Sequence, residues 1–140
     1  MDVFIDTWAW LAYGHKKDPY HELVLTCFHG LHEEQISLVT SDYVMNELIT
    51  ILFRREPFEA AKRFVSTIFE SSESGLLTIL RVTGQRFRSA WALREKFQDK
   101  PRISFTDFTS MAMMQELGIT QVVTDDDHFM QVGMGFEKLP

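Results

Sequence analysis

The segment Val3-Phe4-Ile5-Asp6-Thr7 lies almost at the start of the chain. Its apolar residues predict a short buried strand, which ends at Asp6 and Thr7. In open parallel sheets, ligands bind beyond the carboxyl ends of the strands. An acid directly after this strand therefore indicates a functional site, although aspartate at such a position is also common in ordinary turns.

Short apolar runs alternate with amphipathic, helix-length stretches along the rest of the chain. Further strands are predicted at residues 36–39, within 76–82 and at 121–124. The predicted helices begin at Asp18-Pro19, after 40–42, at Pro57, at Gln85 and at Ser104. The segment that follows residue 127 is predicted to be short and irregular. The alternation is typical of an α/β fold with a parallel sheet.

Capping residues and apolar stripes support the predicted helices. Asp18 has the character of an N-cap, followed by Pro19 in the first helical position. Ser104 and Asp107 form a variant of the capping box, and Gly118 is predicted to end that helix. Stripes at helical spacing are predicted on the helix after Pro57 (Phe58, Ala61, Val65, Ile68) and on helix 85–97 (Phe87, Ala90, Trp91).

The composition predicts one globular domain that spans residues 1–140. Hydrophobic residues make up 45% and charged residues 24% of the 140 residues. Cys27 is the only cysteine, which excludes a multi-cysteine zinc site and favours a reducing compartment. The sequence shows no apolar run of the ~20 residues that span a bilayer and no signal-peptide pattern at its start. We therefore expect a cytoplasmic protein without membrane contact.

The net charge of the chain is -6. Proteins that bind nucleic acid through charge alone are usually basic, so this value counts against a passive nucleic-acid binder. It counts less against a metal-dependent nuclease, because bound cations partly neutralise clustered catalytic carboxylates.

Acids from separate segments are expected to meet at one edge of the sheet. Asp6 follows the first strand, and Asp125 and Asp126 follow the last predicted strand. Asp107 lies in the first turn of a helix, where the macrodipole favours negative charge. Glu47 shares a helix face with apolar residues that are expected to pack on the sheet, so its carboxylate must be paired, protonated or bound to a metal.

Such a group of hard oxygen ligands suits Mg²⁺ or Mn²⁺. A bound ion can polarise a phosphodiester oxygen and lower the pKa of water, and two ions can stabilise both the attacking and the leaving oxygen. Simpler roles for single acids are helix capping (Asp107), a turn (Asp6), an acidic turn (125–127) and a salt bridge to Arg54 or Arg55 (Glu47). These explanations are partly independent, so their joint truth is less favoured than any one of them.

Four segments resemble the motifs of the PIN-domain family, and especially the VapC-like toxins of toxin–antitoxin pairs. They are Val3-Phe4-Ile5-Asp6-Thr7, Val44-Met45-Asn46-Glu47-Leu48, Ile103-Ser104-Phe105-Thr106-Asp107 with its continuation to Gly118-Ile119, and Thr124-Asp125-Asp126-Asp127-His128-Phe129. Each motif is weak by itself. The four in this order and spacing cover nearly the whole chain, which makes the resemblance specific.

The resemblance implies a three-layer α/β/α sandwich with a central parallel sheet. It also implies an endoribonuclease that cleaves RNA phosphodiester bonds with Mg²⁺ or Mn²⁺. Asp6, Glu47, Asp107 and Asp126 carry over as catalytic, metal-binding acids, while Asp125 replaces or supplements Asp126. The side chains expected to orient the carboxylates or a water are Thr7, Ser104, Thr106 and Thr124. A cognate antitoxin and a second copy of the chain are the implied protein partners.

Two other functions stay open. The chain can be a PIN-like module that binds RNA or a protein without cutting it. It can also be a phosphatase on a similar sheet, although the segment Asp6-Thr7-Trp8 lacks the second aspartate expected of one. Cleavage of RNA that depends on the acids distinguishes the leading hypothesis from both.

Aromatic and basic residues are candidates for RNA contacts. Trp8, Trp10 and Tyr13 follow the first acid and either stack on a base or pack in the core or an interface. The third quarter of the chain holds basic residues that either bind phosphates or form a solvated face: Arg81, Arg86, Arg88, Arg94, Lys96, Lys100 and Arg102. Lys16 and Lys17 offer the same choice. His128 is interpreted as a capping or packing residue, not as a general acid.

Overall fold

Helices and strands alternate in the computed structural model, which describes residues 1–140. The strands are β1 (Asp2–Ile5), β2 (Ser37–Ser41), β3 (Leu77–Leu80), β4 (Gln121–Val123) and β5 (Glu137–Leu139). The helices are α1 (Thr7–Gly14), α2 (His21–Glu33), α3 (Asp42–Arg55), α4 (Phe58–Glu73), α5 (Gly84–Lys96), α6 (Phe105–Leu117) and α7 (His128–Gln131). The first four strands agree with the sequence prediction to within two residues at each end.

The five strands form one parallel sheet in the order β3-β2-β1-β4-β5. In the register, Phe4 of β1 lies beside Val39 of β2 on one side and beside Val122 of β4 on the other. The chain leaves β1 towards β2 and later returns to β4, so the strand order reverses between β1 and β4. This is the switch point at which open α/β sheets bind ligands.

Helices cover both faces of the sheet. Crossover connections between parallel strands are right-handed, and the direction of travel reverses after β3. The helices α1 to α4 therefore lie on one face, and α5 and α6 lie on the other. Within these layers α1 packs against α2 and α3, and α5 packs against α6. The predicted α/β/α sandwich around a parallel sheet is confirmed.

The core runs along the central strands. Val3, Phe4 and Ile5 of β1 have no exposed surface, and the same holds for Val122 and Val123 of β4. A strand that is covered on both faces needs continuous apolar residues in this way. The central strands belong to one core of 30 buried residues. None of the helices combines the length and the apolar character needed to cross a membrane.

Helix α2 starts later than the sequence predicts. It begins at His21 with Tyr20 at the cap position, and not at Asp18-Pro19. The Asp18 carboxylate accepts a hydrogen bond from Tyr20 N at 2.8 Å, and the Asp18 carbonyl accepts one from His21 N at 3.0 Å. These bonds close a turn before the helix, so the capping signal at Asp18 marks that turn.

The predicted apolar stripes on α4 and α5 are wrong in part. Phe58, Phe87 and Trp91 are 65%, 44% and 54% exposed. Ala61 and Ala90 on the same helices are fully buried. Small residues let these helices pack closely, and helical spacing alone does not show which apolar side chains face the core.

The end of the chain is more regular than predicted. A short helix, α7, follows the acidic turn, and β5 then adds an edge strand beside β4. Glu137 and Leu139 of β5 pair with Gln121 and Val123 of β4. The prediction of an irregular end was wrong because three residues with one apolar side chain carry no clear strand pattern.

Candidate functional site

All five predicted acids line one open cavity of about 560 Å³ at the carboxyl edge of the sheet. Asp6 follows β1, Asp125 and Asp126 follow β4, Asp107 lies in the first turn of α6, and Glu47 lies on α3. The cavity is therefore built at the switch point between β1 and β4, where the predicted convergence of the acids occurs.

The hydroxyl of Thr124 ties two of the acidic segments together. Its Oγ1 donates to Asp6 Oδ2 at 2.8 Å and accepts from Asp126 N at 3.0 Å. Asp6 and Thr124 are only 4% and 1% exposed, and their strands are neighbours in the sheet. Because this buried hydroxyl donates to one segment and accepts from the other, Thr124 fixes the Asp6 carboxylate against the turn after β4.

The N-terminus of α6 positions Asp107. Ser104 is the N-cap, and its Oγ accepts a hydrogen bond from Asp107 N at 3.0 Å. This is the first half of the predicted capping box. The second half is not formed, because the Asp107 carboxylate faces His128 and does not return to the Ser104 backbone. The cap thus fixes the Asp107 backbone, while the Asp107 carboxylate faces the cavity and His128.

His128 lies between two of the acids. Its Nδ1 is 2.9 Å from Asp126 Oδ2 and 3.2 Å from Asp107 Oδ2. The His128 backbone N–H also donates to Asp126 Oδ1 at 2.9 Å, which closes a tight turn at the start of α7. Asp107, Asp126 and His128 each offer one ligand atom, and these atoms lie within 4.8 Å of one another. The interpretation of His128 as a capping or packing residue misses these contacts.

The environment disfavours negative charge on two of the acids. Burial, and then the charge of Asp107, raise the pKa of the Asp6 carboxyl to about 7, against the opposing effect of the Thr124 hydrogen bond. Burial raises the pKa of Asp107 to about 6, and the hydrogen bond with His128 lowers it only in part. The negative charges of these carboxylates are therefore not balanced by nearby cationic groups, and a bound cation would balance them.

The donor set fits a hard divalent cation. Thr7 lies directly after Asp6, lines the same cavity, and its buried Oγ1 has no hydrogen-bond partner. An unpaired buried hydroxyl is uncommon in native proteins and calls for an explanation, such as an ion or water. Carboxylate and hydroxyl oxygens are the ligands that Mg²⁺ and Mn²⁺ prefer, so the residues present are suitable for either ion.

The remaining predicted residues differ in their placement. Ser104 lines the cavity, whereas Thr106 does not, and the Thr106 carbonyl accepts the hydroxyl groups of Thr109 and Ser110. Asp125 is exposed at the rim, while Asp126 is half-buried and bonded to the neighbouring residues. Asp126, and not Asp125, is thus the acid of this segment that contacts His128.

Glu47 is half-buried at the cavity and forms no salt bridge with either arginine of its helix. The simpler explanation of Glu47 as an ion-pair partner of Arg54 or Arg55 is therefore wrong. The cavity also contains Leu11, Asp18, Ile51 and Arg55, which the sequence patterns did not assign to the site. Trp8 and Arg102, which the sequence analysis named as candidates for RNA contacts, line it as well, and so does His128. Ile51 and Arg55 lie four and eight residues after Glu47, on the same face of α3. This spacing is the sequence signal that links these two residues to the acids.

Comparisons with known proteins agree with this fold. The family model for the PIN domain matches residues 3–134. A comparison with curated protein sequences found no significant match. Among solved structures, VapC20 from Mycobacterium tuberculosis, described as a sarcin-ricin loop cleaving toxin, has a TM-score of 0.78 and 27% identity over 94% of this chain and 95% of its own.

Two further solved structures share the fold at lower identity. VapBC2 from Rickettsia felis, bound to a DNA fragment from its promoter, has a TM-score of 0.77 and 16% identity, with 100% of both chains covered. FitAcB from Neisseria gonorrhoeae has a TM-score of 0.68 and 14% identity, covering 99% of this chain and 96% of its own. At these identities the likeness is one of fold alone.

Proposed function

The chain belongs to the PIN-domain family, and from this premise we propose that it is an endoribonuclease that depends on Mg²⁺ or Mn²⁺ and acts as the toxin of a toxin–antitoxin pair. The observation that carries the proposal is the meeting of Asp6, Asp107, Asp126 and Glu47 in one cavity at the switch point of the sheet. The raised pKa values of Asp6 and Asp107 support it, because they mark a site that gains from a bound cation.

The proposed roles follow from the contacts of each residue. Asp6, Glu47, Asp107 and Asp126 hold the metal, and Asp125 supplements them from the rim. Thr124 keeps the Asp6 carboxylate in position through its 2.8 Å hydrogen bond, and Ser104 does so for the backbone of Asp107.

The free hydroxyl of Thr7 orients a ligand or a water next to Asp6. When bound, the metal supplies a Lewis acid for a phosphodiester oxygen and lowers the pKa of water. Thr106 has no role in this assignment, because its side chain lies outside the cavity.

The biological setting is proposed from the similarity to VapC20, which is described as a toxin. RNA is the substrate, an antitoxin is the cognate partner, and a second copy of the chain completes a homodimer. An antitoxin tail could reach the cavity and place a cationic side chain among the acids. We place the protein in the cytoplasm as a single domain of residues 1–140.

Cleavage assays test the proposal directly. Purified protein is incubated with transfer RNA, ribosomal RNA fragments and single-stranded DNA, in Mg²⁺, in Mn²⁺ and in EDTA. We expect cleavage of RNA with metal and none with EDTA. Asp107→Asn should lose at least about a hundredfold in rate, more than the roughly 10- to 100-fold typical of groups that only support a ligand.

Asp99→Asn is the matched control, because Asp99 is exposed and lies outside the cavity. It should cleave like the parent. Cleavage that survives Asp107→Asn and Asp6→Asn contradicts the proposal. RNA binding without cleavage by the parent protein, in either metal, would instead identify a non-cleaving binding module.

A further inference from the structure

The acidic cavity has an apolar wall. Trp8, Leu11 and Ile51 are its hydrophobic lining residues, and they lie beside Asp6 and Glu47. Trp8 is half-buried, so part of its ring packs on the core and part faces the cavity. The Trp8 ring is tilted by 60° against the ring of Tyr20 at a centroid distance of 5.5 Å. The wall thus offers a partly accessible aromatic surface, and the exposed ring of Tyr20 lies next to it.

The other aromatic residues of α1 pack in or against the core. Trp10 is 5% exposed, its Nε1 donates to Thr40 Oγ1 at 3.2 Å, and its ring meets Phe28 edge-on. Tyr13 stacks on Phe28 at a centroid distance of 4.9 Å. Of these three aromatic residues, Trp8 alone lines the cavity that holds the acids.

Two arginines that form no salt bridge line the same cavity. Arg55 comes from the last turn of α3 and Arg102 from the loop before α6, and both are exposed. Neither forms a salt bridge or a side-chain hydrogen bond. Arg86, in contrast, is paired with Glu116 at 2.8 Å, and Arg94 donates to three backbone carbonyls. A free guanidinium at the mouth of an acidic cavity is suited to an incoming phosphate, since its donor geometry matches two phosphate oxygens.

We infer that Trp8, Arg55 and Arg102 form a nucleotide subsite that binds one unpaired nucleotide of RNA. The base stacks on the Trp8 indole, and the two guanidinium groups bind phosphates on either side of the acids. Inside a duplex both faces of a base are covered by its neighbours, so only an unpaired or extruded base presents a free face. The subsite therefore selects single-stranded or looped RNA. This inference rests on the proposed function.

Fluorescent RNA measures the stacking contact. A short single-stranded RNA that carries one pyrrolocytidine is bound to protein in the Asp107→Asn background, in which cleavage is suppressed. Stacking on the indole should quench the fluorescence. Trp8→Leu keeps an apolar side chain but removes the ring, and we expect it to lose the quenching and to weaken binding between about fivefold and about 150-fold. Trp8→Phe should restore part of both signals.

Thermal melting of each variant confirms that the fold is retained. A fully paired duplex of the same sequence should bind more weakly than the single strand. Equal binding of duplex and single strand, or unchanged quenching and affinity in Trp8→Leu, overturns the inference. The absence of RNA binding by the parent background overturns it as well.

The salt dependence of binding measures the arginine contacts. Each phosphate contact that is lost should reduce the slope of log affinity against log salt by about 0.7 for single-stranded RNA. We expect this reduction in Arg55→Ala and in Arg102→Ala. Arg54→Ala is the matched control, because Arg54 is the exposed neighbour of Arg55 and lies outside the cavity. Slopes that do not differ from that of Arg54→Ala overturn the phosphate role.

The two proposals fail in different ways. If the parent protein binds RNA through Trp8 but cuts no RNA in either metal, the proposed ribonuclease function fails and the subsite stands. If the parent protein cleaves RNA and Trp8→Leu binds and cuts it at the parent rate, the subsite fails and the ribonuclease function stands.

Discussion

Replacing Asp6 by asparagine should stabilise the protein when no metal is present. The Asp6 side chain is 4% exposed and lies near Asp107 and Asp126. It accepts a hydrogen bond from the Thr124 hydroxyl and one from the Thr7 backbone. Asparagine has the same shape, carries no charge and keeps an oxygen that can accept the Thr124 hydroxyl. The substitution therefore removes a buried charge without creating a cavity.

The magnitude follows from the pKa of Asp6, which rises from 3.8 to about 7 in the folded protein. Below pH 4 the carboxyl is protonated in both states and adds no pH dependence. Between about pH 4 and about pH 7 the unfolded chain releases this proton first, so the free energy of unfolding falls as the pH rises. The upper limit of this decrease in the free energy of unfolding is about 4 kcal/mol. We expect about 2–4 kcal/mol, because the acids share their interactions.

Urea unfolding in EDTA at a series of pH values between 4 and 8 measures the effect. At pH 8, Asp6→Asn should be more stable than the parent protein by about 2–4 kcal/mol, and its stability should vary less with pH. Mg²⁺ or Mn²⁺ should stabilise the parent at pH 8 and do so less in Asp6→Asn. The matched control is Asp125→Asn, an exposed acid at the same cavity, which should change stability by less than about 0.5 kcal/mol. The reasoning is refuted if Asp6→Asn is no more stable than the parent at pH 8 without metal.

Two substitutions test how the acidic segments are held. Phe129→Ala should lower the free energy of unfolding in urea by about 3–5 kcal/mol, because Phe129 is fully buried and packs edge-on against Phe136. Met130→Ala, at an exposed position, should lower it by under about 1 kcal/mol. Equal losses would contradict this role of Phe129. Ser104→Ala should cost about 1 kcal/mol through loss of the cap on Asp107 N, and Ser89→Ala on the exposed face of α5 should cost less; the reverse order would contradict the capping argument.

The sheet and the convergence of the acids were predictable because both follow from local patterns. Continuous apolar runs such as Val3 to Ile5 identify strands that are buried on both faces. The carboxyl ends of parallel strands lie at one edge of the sheet, so acids after two strands are expected at the same edge, and here they share a site because β1 and β4 are neighbours. Asp6 and the pair after β4 therefore meet as expected. The sequence does not encode the strand order as directly, because pairing is a long-range property.

The predictions that were wrong concern features that depend on what packs against a helix or strand. Phe87 and Trp91 have the spacing of a core stripe, but Ala90 occupies the contact between α5 and the rest of the fold. That Ala90 is the buried residue can be recognised only when the neighbouring helix is known. Similarly, β5 is a strand because its residues pair with β4, and its own sequence is too short and too polar to indicate one.

His128 shows why the site could be predicted only in part. Its position two residues after Asp126 suggests a local turn, and the hydrogen bond from His128 N to Asp126 Oδ1 at 2.9 Å forms that turn. The same turn directs the ring towards Asp107, which is 21 residues earlier on a different element. Two carboxylates from separate segments are thereby held on one imidazole, so the segment after β4 is part of the wall of the cavity.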